Sequence, residues 1–204
     1  MLKYEPIRNT LIAIIGVLFI GGTCQAQTYS LGLSTGSQMV AADGRIEWPT
    51  VAGDLGLGAG VWYRENDDEK HTIFNLKLTT GSESFFPGLQ FEVGFNGILG
   101  SAKKDELGGN LGGVGFIFST RYSFSEVYDH LPLVLLGEIF YVPEATTFLD
   151  MVNHLQISGG IGITLLQNAM IHLSYKYVNT EQLAFGTNWE VKDSIFYFGI
   201  RLMF

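Results

Sequence analysis

Asp193-Ser-Ile-Phe-Tyr-Phe-Gly-Ile-Arg-Leu-Met-Phe204 reads with a period of two. One set is Phe196, Phe198, Ile200, Leu202 and Phe204, wholly apolar and mostly aromatic. The other is Ile195, Tyr197, Gly199, Arg201 and Met203. A period of two belongs to a β-strand, whose successive side chains point to opposite faces. A water-soluble sheet turns its greasy face inward. A barrel of the bacterial outer membrane does the reverse, apolar outward to lipid and polar inward to the lumen. The second arrangement predicts the same alternation in the rest of the chain.

Working back from the closing segment, the alternation recurs. Segments 27–36, 39–48, 55–64, 71–80, 89–99, 110–123, 133–142, 155–165 and 170–178 each set an apolar face against one of charge, serine and glycine. In 55–64, for example, Leu55, Leu57, Ala59, Val61 and Tyr63 oppose Gly56, Gly58, Gly60, Trp62 and Arg64. Segment 133–142 is the most apolar, yet it carries Glu138 in phase with Val134, Leu136 and Phe140. The expectation is an all-β fold, a transmembrane antiparallel up-and-down β-barrel of ten strands. Eight strands follow if 37–48 is not a strand and one further pair merges.

The connections sort by end. The charged or long stretches 65–70, 100–109, 143–151 and 180–192 read as loops on one side. Gln167-Asn168 reads as a tight turn on the other. An even strand count with both ends periplasmic places the long loops outside the cell. Trp48, Tyr63, Tyr122, Tyr141, Tyr177 and Phe204 fall near strand ends, as interface girdles do.

The N-terminus reads as a secretory signal, residues 1–26, ahead of a barrel spanning 27–204. Lys3 and Arg8 precede an apolar run from Leu11 to Ile20, and small residues lead to cleavage after Ala26. That cleavage removes Cys24, the single cysteine; lipidation of Cys24 is the alternative, with Thr23 a poor fit before it. The formal charge of −8 argues against nucleic acid as a partner. The 26 glycines suit a narrow barrel, where an inward glycine leaves room for a large side chain opposite.

Gly137-Glu138-Ile-Phe-Tyr141-Val-Pro143 resembles the GE-x-x-Y-x-P strand end of the YfaZ family of outer-membrane proteins. The glycine-rich strand after it, the Tyr175-Lys176-Tyr177 strand and the closing strand follow in the same order and spacing. The resemblance is clearest over 110–204, and 39–48 departs from it most. It implies a porin-like outer-membrane barrel with no established activity, and it brings no catalytic residues. The terminal phenylalanine also resembles the signal read by the outer-membrane assembly machinery.

Three groups of residues bear on chemistry. Parity sends Arg45, Glu47, Lys77, Glu92, Arg121, Glu138, Lys176 and Arg201 into the lumen, together with Asp43 and Arg64. Charges in such an interior are costly unless paired or hydrated, so an ion-pair network is expected, with Glu138 paired to Arg121, Lys176 or Arg201. The network either fills and rigidifies the interior or forms a constriction that selects solutes by charge. Inward Trp62, Phe140 and Tyr197 narrow the passage further.

The second group is His172 and Ser174, which share a face. A His-x-Ser pair on a barrel strand resembles the outer-membrane lipid A deacylases, where serine is the nucleophile and histidine its base. Here the asparagine expected beside the serine is Tyr175, and parity turns the pair towards the lumen. The third is the acidic run Asn66-Asp67-Asp68-Glu69 with Asp105-Glu106, which lacks calcium-loop spacing and reads as solvated loop. His71, His130, His154 and His172 are scattered, so no metal site and no cofactor is expected. The functional expectation is a narrow porin-like channel or a structural membrane protein, not an enzyme, with a lipid A deacylase-like enzyme as the alternative. Its partners are outer-membrane lipids and the assembly machinery, which would read Phe196, Phe198, Ile200, Leu202 and Phe204.

Overall fold

The computed structural model describes residues 27–51, 53–66, 69–83, 86–104, 107–128, 130–184 and 187–204. The signal segment 1–26 and the carboxylates Asp67, Asp68, Asp105 and Glu106 lie outside the described residues. The strands are β1 (Thr28–Gly36), β2 (Met39–Thr50), β3 (Gly53–Glu65), β4 (Glu69–Glu83), β5 (Leu89–Lys104) and β6 (Leu107–Ser123). They continue with β7 (Leu133–Val142), β8 (Thr147–Leu149), β9 (Met151–Leu166), β10 (Ala169–Ala184) and β11 (Thr187–Met203). Each pairs antiparallel with its neighbours, and β1 pairs with β11, which closes the sheet into a barrel. β7 and the short β8 occupy one position beside β6, against Phe116–Ser123 and Leu111–Gly113 respectively. The wall is therefore ten strands around.

The 39–48 segment is a strand, β2, in register with β1 and β3 along its length. The stretches expected as outer loops are corrected. Most of 100–109 and 180–192 is strand, as β5 runs on to Lys104, β6 begins at Leu107, β10 runs on to Ala184 and β11 begins at Thr187. Glu65, Glu69 and Lys70 likewise belong to β3 and β4, and 143–151 holds a 3-10 turn and β8. Charge kept these residues out of hydrocarbon, but it does not stop a hairpin in water from keeping its ladder.

Outside, the wall is an apolar belt. On β11 the outward side chains from Phe204 to Phe196 are all exposed, and the next outward positions are Ser194, Lys192 and Glu190. Those apolar positions span roughly 20 Å along a strand tilted about 40°, close to the height of a membrane-facing band. The same change occurs on β4, β5 and β9: Leu76 and Phe74 give way to Lys70, Leu99 to Lys103, Leu155 to Asn153. Aromatic pairs knit neighbouring strands on this face, Tyr175 with Phe196 (ring centroids 4.9 Å apart) and Phe95 with Phe116 (5.4 Å). Trp48, Tyr122 and Phe204 lie towards the end that holds the chain termini; Tyr63, Tyr141 and Tyr177 lie towards the other. So much exposed apolar surface, continuous around a closed sheet, is a membrane-spanning exterior.

Inside, glycine and bulk alternate across strands. A Cβ on Gly199 would run into the His172 imidazole, and one on Gly56 into the Arg45 guanidinium. These glycines let large lumen side chains lie flat against the wall opposite.

Candidate functional site

The lumen is the site, and it has two halves of different chemistry. The half nearer the long hairpins is packed with apolar side chains. Met39, Trp62, Ile73, Ile98, Ile117, Phe140, Val142, Val178, Val191 and Ile195 form one buried cluster that reaches across from strand to strand. Phe140 is 1% exposed and Trp62 3%, both packed within this cluster. Polar groups in this half are also buried. His71 stacks on Trp62 with centroids 5.8 Å apart, and His154 Nδ1 lies 2.8 Å from Thr180 Oγ1. Arg64 on β3 forms an ion pair with Asp193 on β11 across the seam region. Asp193 was absent from the lumen set expected from sequence, although counting back by twos from Arg201 reaches it.

The half nearer the chain termini encloses a polar cavity of about 380 Å³. Its lining runs from Trp62, Ile73, Phe140 and His154 at the apolar end to Thr28, Asp54, Glu83 and Met203 at the terminal rim. Nine of the ten charged residues expected in the lumen line it, Arg64 lying in the other half. Arg45 lies at the centre of one group: Nη1 donates to Glu92 Oε2 at 2.7 Å, Nη2 to Thr79 Oγ1 at 3.1 Å, and Nε sits 2.9 Å from Glu47 Oε1. Arg201 Nη2 donates to Asp43 Oδ2 at 3.2 Å.

The partner expected for Glu138 is corrected. It pairs with none of Arg121, Lys176 and Arg201. Lys77 Nζ donates to its Oε2 at 2.7 Å, and Gln156 Nε2 donates to Oε1 at 3.1 Å. Parity assigns a residue to the lumen, but the partner across it depends on how far the strands are staggered around the wall. Lys176 instead lies over two rings, 5.6 Å from the Trp62 centroid and 5.7 Å from that of Tyr197. Arg121 makes no hydrogen bond or ion pair among the described residues.

His172 and Ser174 do meet, with Nδ1 3.0 Å from Oγ. They are 7% and 4% exposed, and the Tyr197 ring meets His172 edge-on at 5.8 Å. The pair faces the lumen, while the acyl chains a deacylase would cleave lie beyond the barrel wall. Outside the belt, Lys192 Nζ lies 2.8 Å from Glu190 Oε2. That hydrogen bond holds the Glu190 carboxyl below its ordinary range and the Lys192 ammonium above its own.

No protein-family model and no curated protein matches the chain. Among solved structures it is similar to the KdgM porin, at 13% identity over 87% of this chain and 99% of that one, with a TM-score of 0.40. It is similar to the NanC porin at 7% identity over 87% and 99%, TM-score 0.41. It is also similar to the outer membrane channel DcaP of Acinetobacter baumannii, at 14% identity over 85% of this chain, TM-score 0.40. The chain spans about half of that channel, 54% of its length.

Proposed function

We propose that this chain is a porin-like barrel of the bacterial outer membrane, with its termini periplasmic and its lumen plugged at the outer end. The observation that carries the reading is the buried cluster from Trp62 through Phe140 to Val191, which spans the lumen beyond the cavity of the terminal half. The apolar belt supports the membrane. The sorting of connections supports the orientation: the hairpins reaching furthest beyond the belt leave from the end opposite the termini, as outer loops do. The signal-like residues 1–26 agree with export, and the Gly137–Pro143 motif supports a kinship with the YfaZ family. A ten-stranded barrel is close to the size that side chains fill, so a plug is what the wall diameter favours. The role is passive: the residues that line the lumen pack, pair and hold water, and no step of bond chemistry is assigned to them.

Planar bilayers test this. Purified, folded protein is expected to leave the bilayer silent over a range of voltages. A steady ohmic conductance from the wild-type barrel overturns the plug.

A further inference from the structure

The hollow half has one end, so it is a pocket more than a passage. Its size lies in the range of small-molecule sites. Its deeper carboxylates are already engaged: Glu47 and Glu92 by Arg45, Glu138 by Lys77, Asp43 by Arg201; Asp54 and Glu83 stand at the rim. Its cations are not all engaged. Arg121, on β6, lines the cavity one inward position from the rim with its guanidinium unspent. Arg201, on β11, lines it one inward position from the same rim and gives Nη2 to Asp43, while its buried Nε has no acceptor. The two guanidiniums line the same cavity near the same rim, and their like charges repel. An anion bound between like charges in a partly dry cavity removes that cost.

We infer that Arg121 and Arg201 form a clamp for the phosphate or carboxylate head of a small organic anion. The remainder of that molecule occupies the cavity beneath Lys176 and Tyr197. Guanidinium forks suit these heads because two parallel N–H donors match two oxygens of the ligand. The cavity wall offers an aromatic edge at Tyr197 and a cation at Lys176 over its ring, so an anion with a flat body fits best. The ligand enters from the terminal rim. This inference rests on the plugged-barrel reading only for the direction of entry.

The test is calorimetric titration of folded barrel in detergent with phenyl phosphate, benzoate and benzyltrimethylammonium. Saturable binding of one phenyl phosphate or benzoate per barrel is expected, with none of the cation. Arg121→Gln should weaken binding roughly tenfold or more, the loss of charge-assisted hydrogen bonds. Arg121→Lys, which keeps the charge and loses the fork, should fall between. Heat-modifiable migration checks that each variant is folded, and Arg121→Lys carries the test if the glutamine variant is not. Absence of saturable anion binding by the folded wild type overturns the site. So do equal affinities in all three proteins, or equal binding of the cation. A barrel that binds phenyl phosphate and also conducts sinks the plug but leaves the clamp standing.

Discussion

Lys77 reaches across the lumen to Glu138, Nζ to Oε2 at 2.7 Å, and so ties β4 to β7. The two strands are not neighbours in the wall, with β5 and β6 between them. The pair therefore braces the barrel across its width.

Removing one partner should cost more than removing both. In a dry interior, breaking such a pair costs about 3–5 kcal/mol. Here the side chains keep 29% and 22% of their exposure and Gln156 still serves the carboxylate, so Lys77→Met is expected to cost about 1–3 kcal/mol. Adding Glu138→Met to that variant should recover part of the loss. Equilibrium unfolding of the single and double variants in lipid vesicles measures both. A double variant less stable than either single one contradicts the bracing role.

The alternation that fixes the wall was readable because lipid imposes it on every outward position from Phe204 to Phe196, on β11 and on each other strand. Beyond the belt that constraint ends. Thr180 and Gln182 point inward and are fully buried, yet their outward neighbours Asn179 and Glu181 are polar too, so nothing in the sequence separates strand from loop there. The lumen set was readable for the same reason as the belt. Its pairings were not: Glu138 meets Lys77 through the stagger of the closed sheet, a property of all ten strands together. The plug was half visible. Trp62 and Phe140 were expected inside, but their meeting with Ile73, Val178 and Val191 at one height depends on the same stagger.

The plug predicts a gain of function. Trp62→Ala with Phe140→Ala removes two large aromatic side chains from the buried cluster. Each such truncation costs about 3–5 kcal/mol in a packed core, so the variant must first be shown to be folded. It is expected to conduct in planar bilayers where the wild type is silent. Leu76→Ala on the lipid face serves as the control and should stay silent. A folded double variant that passes no current shows that the seal lies elsewhere.

Glu190 and Lys192 set a pH dependence for the outer β10–β11 hairpin. The folded state holds the Glu190 carboxyl low, chiefly through the Lys192 hydrogen bond, so this contribution is complete above the ordinary carboxylate pKa and disappears as pH falls through the lowered value. Lys192 is held high by the same bond, so its contribution is complete below the ordinary lysine pKa and disappears as pH rises through the raised value. The pair is exposed, and the effect is small. Carbon-detected titration of Glu190 should show its pKa rise towards the ordinary range in Lys192→Met, with Asn179 still lowering it. An unchanged Glu190 titration rules out the pair as the cause.

Phe204 does two separable things. Its backbone N–H donates to Tyr29 O at 2.8 Å and its O accepts from Tyr29 N at 3.0 Å, so the last residue completes the β1–β11 seam. Its ring, 66% exposed, ends the lipid-facing row. Phe204→Ala keeps the two seam hydrogen bonds and loses the ring, whereas deletion of Phe204 loses both. If the ring is what the assembly machinery reads, both variants should accumulate less heat-modifiable barrel in outer membranes, while Phe204→Ala folds into synthetic vesicles at the wild-type rate. Deletion alone should also slow that unassisted folding, because the seam is then short by one pair of bonds. Wild-type levels of Phe204→Ala in cells would show that the ring is not the signal and that closure of the seam is the whole role of the chain end.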